Sequence, residues 1–141
     1  METATLAGGC FWCTEAILKR LKGVQSVVSG YAGGDMENPS YEAVSSGQSG
    51  HAEAIQIKFD PKIISLERIL EVFWHLIDPT TLNKQGADVG TQYRSVIFYH
   101  DEKQRKIAEE SRKKVEQSKM YDDPIVTKIE PFKAFYKAEE Y

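Results

Sequence analysis

Short bursts of alternating apolar and polar residues are punctuated by glycine in the first half of the chain, and apolar residues recur at helical spacing in the second. Ala4-Thr5-Leu6-Ala7 has strand character, Gly8-Gly9 marks a turn, and Thr14 to Leu21 reads as a helix. Val24 to Tyr31 reads as a strand, followed by a loop from Gly33-Gly34 through Asn38-Pro39-Ser40. In Ala54-Ile55-Gln56-Ile57-Lys58-Phe59 the apolar side chains face one way and Gln56 and Lys58 the other, as in a half-buried strand closed by Asp60-Pro61. Ser65 and Glu67 open a helix whose Leu66, Ile69, Leu70, Phe73 and Ile77 form one stripe, with Asp78-Pro79 as its stop. A second long loop, Thr80 to Gln92, feeds a strand over Tyr93 to Tyr99. Glu102 to Met120 is a charged helix with Ile107, Ala108 and Val115 on its inner side, and Val126 to Ile129 is a last short strand. The resulting order, β-α-β-β-α-β-α-β, contains the split βαβ arrangement. It predicts an α+β two-layer sandwich of ferredoxin-like type, a mixed, mostly antiparallel sheet with helices packed on it, while leaving strand pairing open.

Composition narrows the class. The 141 residues, 41% hydrophobic and 28% charged, suit one globular domain spanning residues 1–141, without repeats or linker composition. A net charge of -3, from 18 basic and 21 acidic residues, gives no electrostatic reason for nucleic acid or an anionic membrane as a partner. No apolar run approaches the roughly 20 residues of a membrane span, and Met1-Glu2-Thr3 does not begin a secretion signal. A cytoplasmic monomer is the expectation. In that compartment two cysteines point to catalysis or metal binding rather than to a structural disulfide.

Those cysteines, Cys10 and Cys13, lie within Gly8-Gly9-Cys10-Phe11-Trp12-Cys13, at the expected strand-to-helix turn. A thiol at a helix N-terminus meets unpaired N–H groups and the positive end of the helix dipole, which favour the thiolate. A second thiol one turn on allows an intramolecular disulfide after oxidation. Zinc would need two more ligands from His51, His75 or His100, and none shows metal-ligand spacing. Phe11 and Trp12 either line an apolar pocket suited to a methyl or thioether group or belong to the core. Glu53 shares the inward face of Ile55 and Ile57. It is either a buried carboxyl with a raised pKa, able to act as a general acid, or the solvated start of a frayed strand, and periodicity does not choose. His51 reads as a brace for the loop. Asp88, Tyr93 and Tyr41 offer hydrogen-bonding groups in the two long loops, and taken singly each reads first as an ordinary loop polar residue.

Six blocks then have to be taken together: Gly8-Gly9-Cys10-Phe11-Trp12, Gly30-Tyr31-Ala32-Gly33-Gly34, Asn38-Pro39-Ser40-Tyr41, Gly50-His51-Ala52-Glu53-Ala54, Asp78-Pro79 and Gly90-Thr91-Gln92-Tyr93-Arg94-Ser95. In this order they closely resemble the A-type peptide methionine sulfoxide reductases. The resemblance implies reduction of the S epimer of methionine sulfoxide, free or in proteins, as a repair of oxidative damage, without a metal or organic cofactor. It implies Cys10 as the nucleophile, Phe11 and Trp12 as the methyl pocket, and Glu53 as proton donor to the sulfoxide oxygen. Tyr41 and Tyr93 would hydrogen-bond that oxygen, and Asp88 would order water around it. Position 13 is often glycine in the family. Many members carry later resolving cysteines, whereas this sequence has none after Cys13, so Cys13 is expected to resolve the Cys10 sulfenic acid as a disulfide, which thioredoxin or another dithiol reduces, with direct resolution by an external thiol as the alternative. A general disulfide oxidoreductase would use the same cysteines without the aromatic pair and the acid. A binder of methionine-bearing proteins would tolerate loss of Cys10.

Overall fold

The computed structural model describes residues 1–8, 11–34, 50–81, 83–85, 88–118, 121 and 123–138, with only the backbone described at residues 11–13, 84, 88, 89 and 91. The chain runs β1 (Glu2–Ala7), α1 (Phe11–Leu18), β2 (Val24–Ala32), β3 (Ala52–Phe59), α2 (Leu66–Leu76), β4 (Lys84–Gln85), β5 (Asp88–Val89), a 3₁₀ turn (Thr91–Tyr93), β6 (Val96–Tyr99), α3 (Glu102–Gln117), β7 (Lys128–Pro131) and β8 (Phe135–Lys137). Six strands form one sheet in the order β7-β6-β1-β3-β2-β8, and β4 pairs with β5 as a separate small hairpin. The central β6-β1-β3-β2 strands pair antiparallel throughout, in the ferredoxin-like order, and only β6–β7 is parallel. The expected α+β class and mixed sheet are observed.

Capping explains where two helices begin. Ser65 accepts the Arg68 N–H at 3.2 Å ahead of α2, and Asp101 accepts the Gln104 N–H at 2.8 Å ahead of α3. Gln104 reaches back to the His100 N–H at 2.9 Å and donates to the Thr3 carbonyl at 2.8 Å, which fastens the start of α3 to β1. On α2 the stripe Leu66, Ile69, Leu70, Phe73 and Trp74 is buried. Covering each such side chain contributes about 1.5–3 kcal/mol. It packs with Ala4, Leu6, Ile55, Ile57, Phe59 and Ile97 of the sheet and with Leu18 of α1 and Ala108 of α3, in one core under the helices.

The opposite face of the sheet is lined by Ala7, Ala32, Ala52, Ala54, Val96 and Phe98, against which Phe132 and Phe135 pack. Small side chains here go with a strongly curled sheet. In a flat sheet, five steps of about 4.8 Å would set β7 and β8 roughly 24 Å apart, yet Pro131 and Phe135 are joined by a strap reaching at most about 14 Å. The sheet must therefore curl until the end of β7 at Pro131 comes within that reach of the start of β8 at Phe135. Gly33, at the end of β2, accordingly lies so near β6 that a Cβ there would meet the Phe98 ring at 2.8 Å.

Several boundaries differ from the sequence reading. Helix α1 starts at Phe11 rather than Thr14, and α3 ends at Gln117, where the Ser118 hydroxyl turns back to the Val115 carbonyl at 2.7 Å. The strand expected from Tyr93 begins at Val96, because the Tyr93 N–H closes a turn onto the Gly90 carbonyl at 3.0 Å. The last predicted strand slides to Lys128–Pro131, since the Val126 N–H is taken by the Pro79 carbonyl at 2.7 Å. The β4–β5 hairpin and β8 had no counterpart in the sequence reading.

Candidate active site

The end of the sheet nearest the two long loops gathers the described candidates. Glu53 is 6% exposed, and the register sets it opposite Tyr31, itself 1% exposed, with Tyr31 in turn opposite Tyr136 of β8. On its other side, extending the β1–β3 register one residue past Ala7–Ala54 brings Gly8 alongside Glu53. The frayed-start reading of Glu53 is thereby excluded, because Ala52 and Ala54 on either side are also buried in β3. Gly8 is a site of close approach, where a Cβ would fall 2.6 Å from Ile77 Cγ2 and 3.3 Å from the Phe73 ring.

Cys10 and Tyr41 lie outside the described residues, as do the side chains of Phe11, Trp12, Cys13 and Asp88. Their backbones, where described, are informative. Phe11, Trp12 and Cys13 form the first turn of α1, which packs on β2 and β3, so Cys10 directly precedes the first helical residue. Asp88 pairs with Gln85 across the β4–β5 hairpin, and Tyr93 ends the 3₁₀ turn that packs on β3 beside half-buried Arg94. Around the same end, His51 is 2% exposed, takes the Gly34 N–H on Nδ1 at 3.0 Å and meets the Tyr136 ring edge-on at 5.5 Å. This is the loop brace read from sequence.

Arg94, within the Gly90–Ser95 block, has no role assigned from sequence. Its Nη2 donates to the Gly50 carbonyl at 2.9 Å and to the Gly33 carbonyl at 3.4 Å. Burial lowers its pKa, with the nearby Glu130 carboxylate opposing. The sequence signal was the pair of glycines bracketing the first loop, both of which adopt positive φ. Tyr136 was also missed, although it stands in the aromatic cluster after Phe132. The other two histidines stand elsewhere: His75 lines a groove of about 300 Å³ between α2 and α3, and His100 Nε2 shares a hydrogen bond with Thr5 Oγ1 at 2.8 Å. Among the described residues no group of three or more His, Cys, Asp or Glu side chains could hold a metal ion, and no described helix is long and apolar enough to cross a membrane.

A buried carboxyl at the end of the sheet from which the chain passes to α1 is, together with the two cysteines of the sequence, compatible with thiol chemistry on an α+β fold, and comparison with known proteins narrows this. The family model described as peptide methionine sulfoxide reductase matches residues 2–141. The chain is 60% identical to the peptide methionine sulfoxide reductase MsrA of Saccharolobus solfataricus, over all of this chain and 78% of that one. Its fold superposes on Mxr1 from Saccharomyces cerevisiae in reduced form with a TM-score of 0.92 at 36% identity, covering 99% of this chain and 81% of that one. It also superposes on Mxr1 in complex with Trx2, with a TM-score of 0.72 at 28% identity, covering 98% and 81%. The chain belongs to the peptide methionine sulfoxide reductase family.

Proposed function

We propose that this protein reduces methionine sulfoxide to methionine by thiol chemistry, acting on the S epimer, free or within oxidised proteins. The Cys10 thiolate attacks the sulfoxide sulfur while Glu53 delivers a proton to the oxygen, which is a poor leaving group until protonated. The oxygen passes to Cys10 as a sulfenic acid and methionine departs. Phe11 and Trp12 hold the methyl group, Tyr41 and Tyr93 hydrogen-bond the oxygen, and Asp88 orders water beside it. The Cys13 thiol then condenses with the sulfenic acid, forming the Cys10–Cys13 disulfide and releasing water. Thioredoxin or another dithiol returns both thiols, a partner supported by the Mxr1–Trx2 complex.

The observation that carries this reading is Glu53: a carboxyl 6% exposed, set by the β1–β3 register alongside Gly8, which lies two residues before Cys10, in a chain of this family. The proposed step needs this carboxyl to carry a proton within reach of the sulfoxide oxygen at the moment of attack. The test is a single turnover without added reductant, in which the reduced protein meets the S epimer of methionine sulfoxide and both methionine release and intact mass are followed. Stoichiometric methionine with loss of two hydrogens and of both free thiols is the expected result. A gained oxygen that a sulfenic-acid probe traps would remove Cys13 from the scheme, and absence of methionine would overturn the function.

A further inference from the structure

The stretch between Gly33 and Gly50 departs from the end of β2 and returns at the start of β3, and one cation spans its two ends. Arg94 donates from Nη2 to the Gly50 carbonyl at 2.9 Å and to the Gly33 carbonyl at 3.4 Å. Gly33 and Gly50 have φ of 87° and 73°, a left-handed conformation that other residues rarely adopt. A Cβ at Gly33 would also fall 3.0 Å from Nη2 itself. The guanidinium is half-buried and stays charged, so its bonds to these carbonyls are charge-assisted although they lie at the surface. A parallel tie runs from the Gly34 N–H to His51 Nδ1 at 3.0 Å, across the same gap.

The location matters because of what adjoins it. Arg94 directly follows Tyr93 in the turn that packs on β3, and Gly50 lies three residues before Glu53. We propose that Arg94 is a positioning residue for the reductase reaction, joining the ends of the Gly33–Gly50 stretch to the turn bearing Tyr93 and so fixing the start of β3 that carries Glu53. This rests on the proposed function. Both carbonyls are met by the one Nη2 nitrogen, so a lysine ammonium, a three-donor point charge on a shorter and more flexible stem, restores the tie only in part.

The experiment compares the full chain with its Arg94→Met and Arg94→Lys variants, using dithiothreitol as reductant and methionine sulfoxide as substrate, at a temperature where melting curves show all three folded. Arg94→Met is expected to lower kcat by about tenfold to a hundredfold, the range in which remote misplacement acts, with a smaller change in KM. Its acid limb of kcat against pH moves, and Arg94→Lys recovers part of the rate. Amide exchange at residues 33–34 and 50–53 rises in Arg94→Met while that of α2 and α3 does not. An Arg94→Met kcat within about twofold of the parent, with an unmoved pH profile, overturns the inference while leaving the function standing. Exchange that rises equally throughout the protein also overturns it, by assigning Arg94 to general stability. A parent without turnover overturns the functional reading and this inference with it.

Discussion

Gly8 gives the most quantitative handle on how the active-site end of β1 is held. A Cβ there would lie 2.6 Å from Ile77 Cγ2, well inside the 3.4 Å at which ordinary contact begins, so Gly8→Ala has to open the gap by close to 1 Å. Ile77 yields poorly: it is 7% exposed, and its Cγ2 is fixed to a β-branched carbon. Overpacking of this kind costs about 1–3 kcal/mol, partly offset by about 0.4–1 kcal/mol from a less flexible unfolded chain. The net loss is expected to be about 1–2 kcal/mol, which lowers Tm by roughly 3–8 °C in a domain of this size. Ile77→Ala alone removes the obstructing methyl and costs about 2–5 kcal/mol as a cavity. In the double variant the new methyl occupies the vacated space, so it is expected to be more stable than the sum of the singles by about 1 kcal/mol or more. Urea unfolding of the four proteins measures the cycle. Additivity within about 0.3 kcal/mol, or a Gly8→Ala protein as stable as the parent, refutes the reasoning.

Glu53→Gln keeps the size of the side chain and removes the acid, so methionine release in a single turnover is expected to slow by about a hundredfold or more. Alkylation of Cys10 by iodoacetamide should continue at a rate close to the parent's, and equal methionine release by both proteins would disprove the assignment. Trp74→Phe deletes the buried Nε1–H bond to Ser111 Oγ, 2.9 Å long, that joins α2 to α3, at an expected cost of about 1–2 kcal/mol in urea unfolding; Ser111→Ala in the same background should add little. His100, although exposed at one side, stacks on Phe132 at 4.1 Å, and desolvation lowers its pKa against the opposing pull of Asp101. The neutral ring is thus the form the fold favours, and its contribution is complete above the unfolded value of about 6.5 and lost as pH falls through the lower folded value. Melting curves of parent and His100→Gln should therefore converge as the pH is lowered, and parallel curves would contradict this.

Local chemistry explains which elements were legible in the sequence. Helix α2 was readable because a Ser cap, an apolar stripe and an Asp-Pro stop all agree, and β3 because alternation persists across it. The start of β6 and the position of β7 were not, since each is decided by a bond to a remote carbonyl or a turn glycine that periodicity does not contain. Strand β8 pairs with β2 only because the curled sheet brings that edge within reach of the strap after β7. At the candidate site, alternation placed Glu53 on the right face but left its burial undecided. That burial comes from strands on both sides of β3, which a single sequence does not pair.

The curl also bears on biosynthesis. The two outermost strands of the sheet, β7 and β8, both come from residues 128–137, after every other strand. A chain still growing on the ribosome can assemble β1, β2, β3 and β6 while both flanks of that sheet offer bare backbone to any neighbouring polypeptide. Protection of the two flanks then arrives together, within a few residues of synthesis, so the nascent protein stays vulnerable to mispairing until nearly the whole sheet has been translated.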